Sequence, residues 1–316
     1  MLTHFDSLVD LMKAFPDEQA CVDHLRAIRW RDGEFCPHCG GTRIYHFSDR
    51  KTFKCGDCRQ RFSIKVGTIF HDTKLPLQKW FMASWLITNH PKGIASTTLA
   101  KDLNITQKSA WFVLHRIRHA ARTKSFNMKL RGKIEVDETY VGGKAINQHG
   151  RRSGKGGGAK GKTPVVGAVE RNGEIIARVL PVASQPELQR FIHDVVSPKA
   201  ELLATDSHPA YTTLTGFPQH QAVNHSAGQY VIYNHTFDAN RKLHTEKVHT
   251  NSIESVWALL KRQIVGIHHW VSPKHLQKYV DEMTWRLNRR EMTVTGRMND
   301  LFCCVEGRLT YKVLIA

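Results

Sequence analysis

The sequence predicts an α/β chain: a small cysteine-bearing β-ribbon and a helix-turn-helix, then a mixed sheet flanked by helices. Three observations carry this expectation. Two Cys-x-x-Cys pairs lie near the N-terminus with fifteen residues between them. Residues 75–122 place apolar side chains at helical spacing. Beyond residue 130, alternating runs and short apolar runs are interleaved with amphipathic stretches, the pattern of strands and helices in one domain. The 316 residues suffice for two or three folded units of about 100–200 residues each. The boundaries read as a helical segment over 1–35, a ribbon over 36–66, a helical region over 67–128, a mixed-sheet domain over 129–290 and a C-terminal tail over 291–316.

Residues 17–31 form the first helix, with Ala20, Leu25, Ile28 and Trp30 as apolar anchors. The cysteines follow: Cys36, Cys39, Cys55 and Cys58. Zinc sites of this type leave about 15–20 residues between their pairs. Turns at Pro37-His38 and Gly56-Asp57 aim each pair of thiolates at one point, which makes a closed, structural Zn2+ site. The alternative is a redox dithiol pair, which needs no two matched turns. Segments 43–47 and 52–54 alternate as a β-ribbon, and its basic residues suit either a DNA backbone or an ordinary solvated face.

Trp80, Trp85 and Leu86 belong to one helix. A helix over Ala95 to Leu103, a turn at Asn104-Ile105-Thr106 and a second helix capped by Thr106 then read as helix-turn-helix. Ala110, Val113, Leu114 and Ile117 form the buried face of the second helix. In such motifs the N-terminal end of that helix enters the major groove of double-stranded DNA. The candidate DNA contacts are therefore Gln107, Lys108, Ser109 and Trp111, with Arg116 further along. A plain two-helix packing unit is the alternative.

Residues 133–141 alternate as a strand. The Gly- and Lys-rich stretch 142–162 cannot pack a core and reads as a mobile basic loop or a linker. Asn172-Gly173 between two apolar runs predicts a hairpin. Ser184 and Glu187 read as the capping box of a helix through about Val196. Glu201 to Thr205 is a short buried strand ending at Asp206. Residues 250–266 and 272–290 read as amphipathic helices, the latter covering the sheet or joining a dimer contact.

The charge balance points to a polyanionic partner: 46 Lys and Arg against 28 Asp and Glu leave +18. A soluble basic protein without such a partner is the plain alternative. A membrane is the weaker choice, since the run Trp80 to Ile87 falls short of the roughly 20 apolar residues a spanning helix needs. The N-terminus lacks a signal-peptide pattern, so a cytoplasmic location is expected. Cys21, Cys303 and Cys304 read as reduced thiols.

Two-metal phosphodiester chemistry needs a cluster of hard oxygen ligands. Asp137, Asp206 and Glu254 are the candidates, holding Mg2+ or Mn2+. Each has a rival role. On its strand Asp137 shares a face with Glu135, whereas Glu138 shares the other with Ile134, Val136 and Tyr140, and spacing does not choose between the faces. Asp206 suits a helix cap, and Asn251 with Glu254 suits a capping box. Glu254, Trp257, Ala258 and Lys261 share one helical face, so Lys261 and its neighbour Arg262 are candidate phosphate contacts.

With CPHCGG, KCGDC, KSAWFVLHRIR, VDETYVGGK, VVGAVE, LLATDSHPAY and HTNSIESVWALLKR, the chain resembles bacterial insertion-sequence DDE transposases that join an N-terminal zinc ribbon to an RNase-H-like, integrase-like catalytic domain. The resemblance spans roughly residues 17–290. It implies that Asp137 is chosen over Glu138, that Asp206 is the second acid and that Glu254 is the third. Family members carry Glu, Asn or His at that last position, which keeps Asn251 as the alternative. It further implies two divalent ions, 3′-end cleavage at element ends, direct strand transfer into target DNA, and a homo-oligomer on DNA in the bacterial nucleoid. The competing functions are a DNA-binding regulator with an inactive RNase-H-like domain and a structure-specific nuclease of the same fold.

Overall fold

The computed structural model describes residues 3–122, 129–143, 161–238 and 240–316. Two compact units emerge: Met1–Arg122 with Arg289–Ala316, and Thr123–Asn288. The basic stretch expected at 142–162 lies outside the described residues over 144–160.

The first unit opens with α1 (Leu8–Ala14), whose capping box joins Ser7 and Asp10. α2 (Glu18–Arg29) starts at Asp17, whose carboxylate accepts from the Ala20 N–H at 2.8 Å. Strands β1 (Ile44–His46), β2 (Thr52–Cys55) and β3 (Arg61–Ser63) form an antiparallel ribbon. Its inner face is aromatic: Trp30 meets Phe53 edge-on at 4.9 Å, and Phe62 packs beside them. Three helices follow: α3 (Leu77–Asn89), α4 (Ser96–Asp102) and α5 (Gln107–Ala120). Asn104 takes the left-handed conformation in the turn between α4 and α5, at φ 47°. Thr106 then caps α5 through the Ser109 N–H. The expected helix-turn-helix is present.

The second unit is built on a five-stranded sheet in the order β6-β5-β4-β7-β8. In chain order it contains β4 (Lys133–Val141), β5 (Thr163–Glu170), β6 (Ile175–Val179), α6 (Gln185–Val195), β7 (Leu202–Asp206), α7 (Pro209–Thr212) and β8 (His220–Val223). β4, β5 and β6 run antiparallel, and β7 and β8 join parallel on the other side of β4. This is the RNase-H-like mixed sheet. A separate hairpin, β9 (Ile232–Phe237) with β10 (Leu243–Val248), leads into α8 (Asn251–Gln263). One π-helical turn, Ile264–His268, ends α8, and α9 (Pro273–Asn288) follows. Ile134, Val136, Val166 and Leu203 pack with α6 on one face of the sheet. Val165, Val169, Ile175 and Ala177 pack with α8 and α9 on the other.

α9 also protects an edge. β6 is an outer strand, and unpaired N–H groups on outer strands invite wrong pairing. Here Gln277 Oε1 accepts from the Val179 N–H at 2.7 Å and Asn288 Oδ1 from the Ile175 N–H at 2.9 Å.

Three expectations change. Ser184 precedes α6 but makes no side-chain cap bond; Glu187 pairs instead with Arg190 at 3.1 Å. α8 begins at Asn251, with Thr250 as its N-cap, so Asn251 and Glu254 form no capping box. Residues 291–316, expected as a tail, return to the first unit as α10 (Val294–Cys303) and α11 (Tyr311–Ile315). Phe302 inserts between Phe70 and Phe81, and Gly307 N–H donates to the Gly67 carbonyl at 2.8 Å.

Candidate functional site

The four ribbon cysteines converge, with all ligand atoms within 4.8 Å of one another. Cys36 and Cys58 sulfurs lie 3.7 Å apart, and those of Cys39 and Cys55 lie 3.6 Å apart. A tetrahedron of thiolates about 2.3 Å from zinc has edges of about 3.8 Å, so the cage fits the ion. The chain is shaped for this: Gly40, at φ 77°, and Arg59, at φ 60°, close the two knuckles. The Cys58 and Asp57 N–H groups point at Cys55 Sγ and hold its thiol down at about 7.

In the second unit, β4 and β7 run side by side with Glu135 opposite Ala204. Two residues further on, that register sets Asp137 level with Asp206. Both lie on the sheet face that α8 covers, because Asp137 alternates with Ile134 and Val136, which face α6. Burial raises Asp137 to about 7, and the charges of Glu138 and Asp206 push the same way. A pair of hard oxygen donors under mutual repulsion suits a divalent cation, whose charge offsets both penalties. Asp206 also accepts from the His208 N–H at 3.0 Å, a turn contact that leaves its other oxygen for a further partner.

The remaining acids of β4 are already engaged. Glu138 faces the α6 side and accepts from the Tyr211 hydroxyl at 2.7 Å. Burial, with the charge of Glu138 added, keeps that phenol well above its usual range and so protonated. Glu135 is fully buried and caps α8: it accepts from the Ser252 and Ile253 N–H groups at 2.7 and 3.2 Å. Arg171 neutralises it at 2.7 Å and also donates to the carbonyls of Lys247 and His249. The start of α8 is thus tied to the centre of the sheet.

Glu254 sits in the first turn of α8, 47% exposed, against His225 at 3.4 Å and the Thr250 hydroxyl at 3.2 Å. Among the described residues it does not join Asp137 and Asp206 in a group with ligand atoms within 4.8 Å. One turn further, Trp257 reaches the site: its Nε1–H donates to Asp137 Oδ2 at 3.0 Å. Lys261 and Arg262 are exposed on the last turns of the same helix.

In the helix-turn-helix, Gln107 and Lys108 are exposed and Ser109 and Trp111 half-buried. Gln107 donates to Ser96 Oγ at 2.9 Å, while Trp111 packs on His115. Arg116 is corrected: it is 5% exposed, donates to the Leu309 carbonyl at 3.1 Å and lies over the Phe112 ring. It faces inward because α5 presents that side to the returning C-terminal segment, and it is removed from the DNA-contact set.

The family model described as ISXO2-like transposase domain matches residues 129–288. The chain belongs to this transposase family. A second model, a transposase zinc-ribbon domain, matches residues 16–61 and so spans the four cysteines. A relative from Halobacterium salinarum, described as an uncharacterized protein in transposable element ISH50, is 26% identical over 285 residues, covering 85% of this chain and 90% of its own. A crystal structure of a pre-cleavage Mos1 transpososome aligns with 68% of this chain and 75% of its own, at 13% identity and TM-score 0.22, too slight to transfer any residue.

Sequence reasoning about this transposase overlooked three site residues: Trp257 as a hydrogen-bond donor, Tyr211 as the partner of Glu138, and His225 as the partner of Glu254. Trp257 had a readable signal, since it shares the helical face of Glu254. His225 had none, because it lies in a polar segment whose strands were not foreseen. Among the described residues, no helix is long and apolar enough to cross a membrane.

Proposed function

We propose that this transposase binds the double-stranded ends of an insertion sequence, cleaves phosphodiester bonds there and transfers the 3′-OH ends to target DNA. The observation that supports this best is the nearness of Asp137 and Asp206, set level by the β4–β7 register so that the charge of the second raises the pKa of the first, beneath the helix that carries Glu254. Mg2+ or Mn2+, as two ions at such a carboxylate set, supplies Lewis-acid charge for the attacking and leaving oxygens. Asp137 and Asp206 are the fixed ligands. Glu254 completes the set by turning from His225, a swing that its half-exposed side chain allows. Lys261 and Arg262 approach the substrate phosphates. The zinc-bound ribbon and the exposed end of α5, through Gln107, Lys108, Ser109 and Trp111, hold the DNA. A homo-oligomer bridging two ends, acting at the nucleoid in the cytoplasm, completes the reading.

The test incubates purified protein with the DNA flanking its gene in Mg2+ or Mn2+, beside Asp137→Ala, Asp206→Ala and Glu254→Ala. Wild type is expected to cut the ends and join them to a plasmid, with each variant binding but doing neither. Binding without cutting by wild type would give the role to a regulator instead. Retained activity in Glu254→Ala alone would move the third ligand to Asn251.

A further inference from the structure

Gly167 and Trp257 lie far apart in sequence and belong to one device. Gly167 stands opposite Asp137 in the β4–β5 ladder. The Trp257 indole crosses the sheet directly over it. A Cβ at residue 167 would sit 2.6 Å from Trp257 Cη2, 2.9 Å from Cζ2 and 3.1 Å from Ile253 Cδ1. These atoms belong to side chains buried between α8 and the sheet, which have little room to yield. With glycine there, the ring has the space it occupies, and its N–H reaches Asp137 Oδ2 at 3.0 Å.

We propose that Trp257, seated by Gly167, is a positioning residue that fixes the rotation of the Asp137 carboxylate for metal binding. The proposal rests on the reading of Asp137 as a metal ligand. The chemistry favours an indole in this role. It donates a single hydrogen bond to one oxygen and leaves the carboxylate's remaining lone pairs for other partners. It carries no charge, so it orients the carboxylate without competing with a cation for it, as a lysine or arginine would. Partners that orient a ligand in this way typically account for about 10–100-fold in metal affinity. Trp257 also ties α8 to β4, so the helix that carries Glu254 and the strand that carries Asp137 hold one relative position.

The experiment measures Mn2+ binding to the DNA-free full-length protein by electron paramagnetic resonance, and end cleavage across a Mg2+ titration. Asp137→Ala defines the binding that belongs to this site. Trp257→Phe removes the donor and keeps the ring. Gly167→Ala keeps the donor and displaces the ring, and serves as the second variant should Trp257→Phe fold poorly. Both are expected to weaken the Asp137-dependent Mn2+ binding about 10–100-fold. Both should still bind element ends and should regain cleavage as Mg2+ is raised. A folded Trp257→Phe or Gly167→Ala protein with the wild-type Mn2+ midpoint overturns the proposal, even if its cleavage is slow. An Asp137→Ala protein that binds Mn2+ and cuts DNA like wild type overturns instead the assignment of Asp137 on which it rests.

Discussion

Asp137 concentrates the electrostatic cost of the second unit. Burial, then Glu138 and Asp206, raise it from 3.8 to about 7. Its folded value thus exceeds its unfolded one, so the folded protein holds the extra proton between those limits. That stabilisation is complete below about 4 and is lost as pH rises through 7. Asp137→Asn, which mimics the protonated form, should match wild-type stability near pH 4. At pH 8 it should exceed wild type by on the order of a few kcal/mol in urea unfolding of metal-free protein. An equal gain at both pH values would show that charge is not the cause. Glu135 is a buried carboxylate with the Arg171 guanidinium against it at 2.7 Å. Arg171→Ala removes its cationic partner and leaves only the donors of Ser252 and Ile253 and the His249 ring, and should cost up to about 3–5 kcal/mol at neutral pH, read from the shift in urea midpoint.

Two elements depend on partners outside their own backbone. The zinc ribbon is three short strands around a small aromatic cluster, too little to hold itself. Removing zinc with a chelator, or replacing Cys55 with Ser, should open it to protease within residues 36–63, with zinc falling from one ion per chain to none by atomic absorption. Edge strand β6 relies on α9. Gln277→Ala and Asn288→Ala each strand a β6 N–H and should cost about 1 kcal/mol in thermal unfolding. The elements were unevenly readable. α5, α9 and the β5–β6 hairpin follow from period, cap and turn residues, with Asn172 at φ 62° in the hairpin as its identity suggests; α6 forms where expected, but without the Ser184 cap bond that signalled it. β8 and the β9–β10 hairpin were missed, since HQAV and IYNHTF carry polar residues on both faces and no clean alternation.

For the molecule as a whole, +18 of net charge meets a polyanion, so DNA affinity should fall by about 10³–10⁵ between roughly 50 and 200 mM salt if about 6–10 phosphates are contacted. Filter binding across that range checks it. The C-terminal segment is part of the first unit, and its deletion removes Leu301, Phe302 and Val305 from that core. Truncation before Arg289 should therefore destabilise the N-terminal half, seen as faster proteolysis of residues 1–122, although no lost residue touches zinc. Local signals foretold the cysteine cage, the helix-turn-helix and the order of elements through β7, because ligand spacing and hydrophobic period are properties of neighbouring residues; the choice among the acids came from the resemblance. They left the side of β4 open, since a two-residue period is symmetric until something covers one face; α8 covers the Asp137 face, and the parallel register with β7 brings Asp206 level with it. The inward turn of Arg116, the return of residues 289–316 and the meeting of Trp257 with Gly167 join positions far apart in sequence. Such contacts leave no periodic mark, and only the folded chain brings them together.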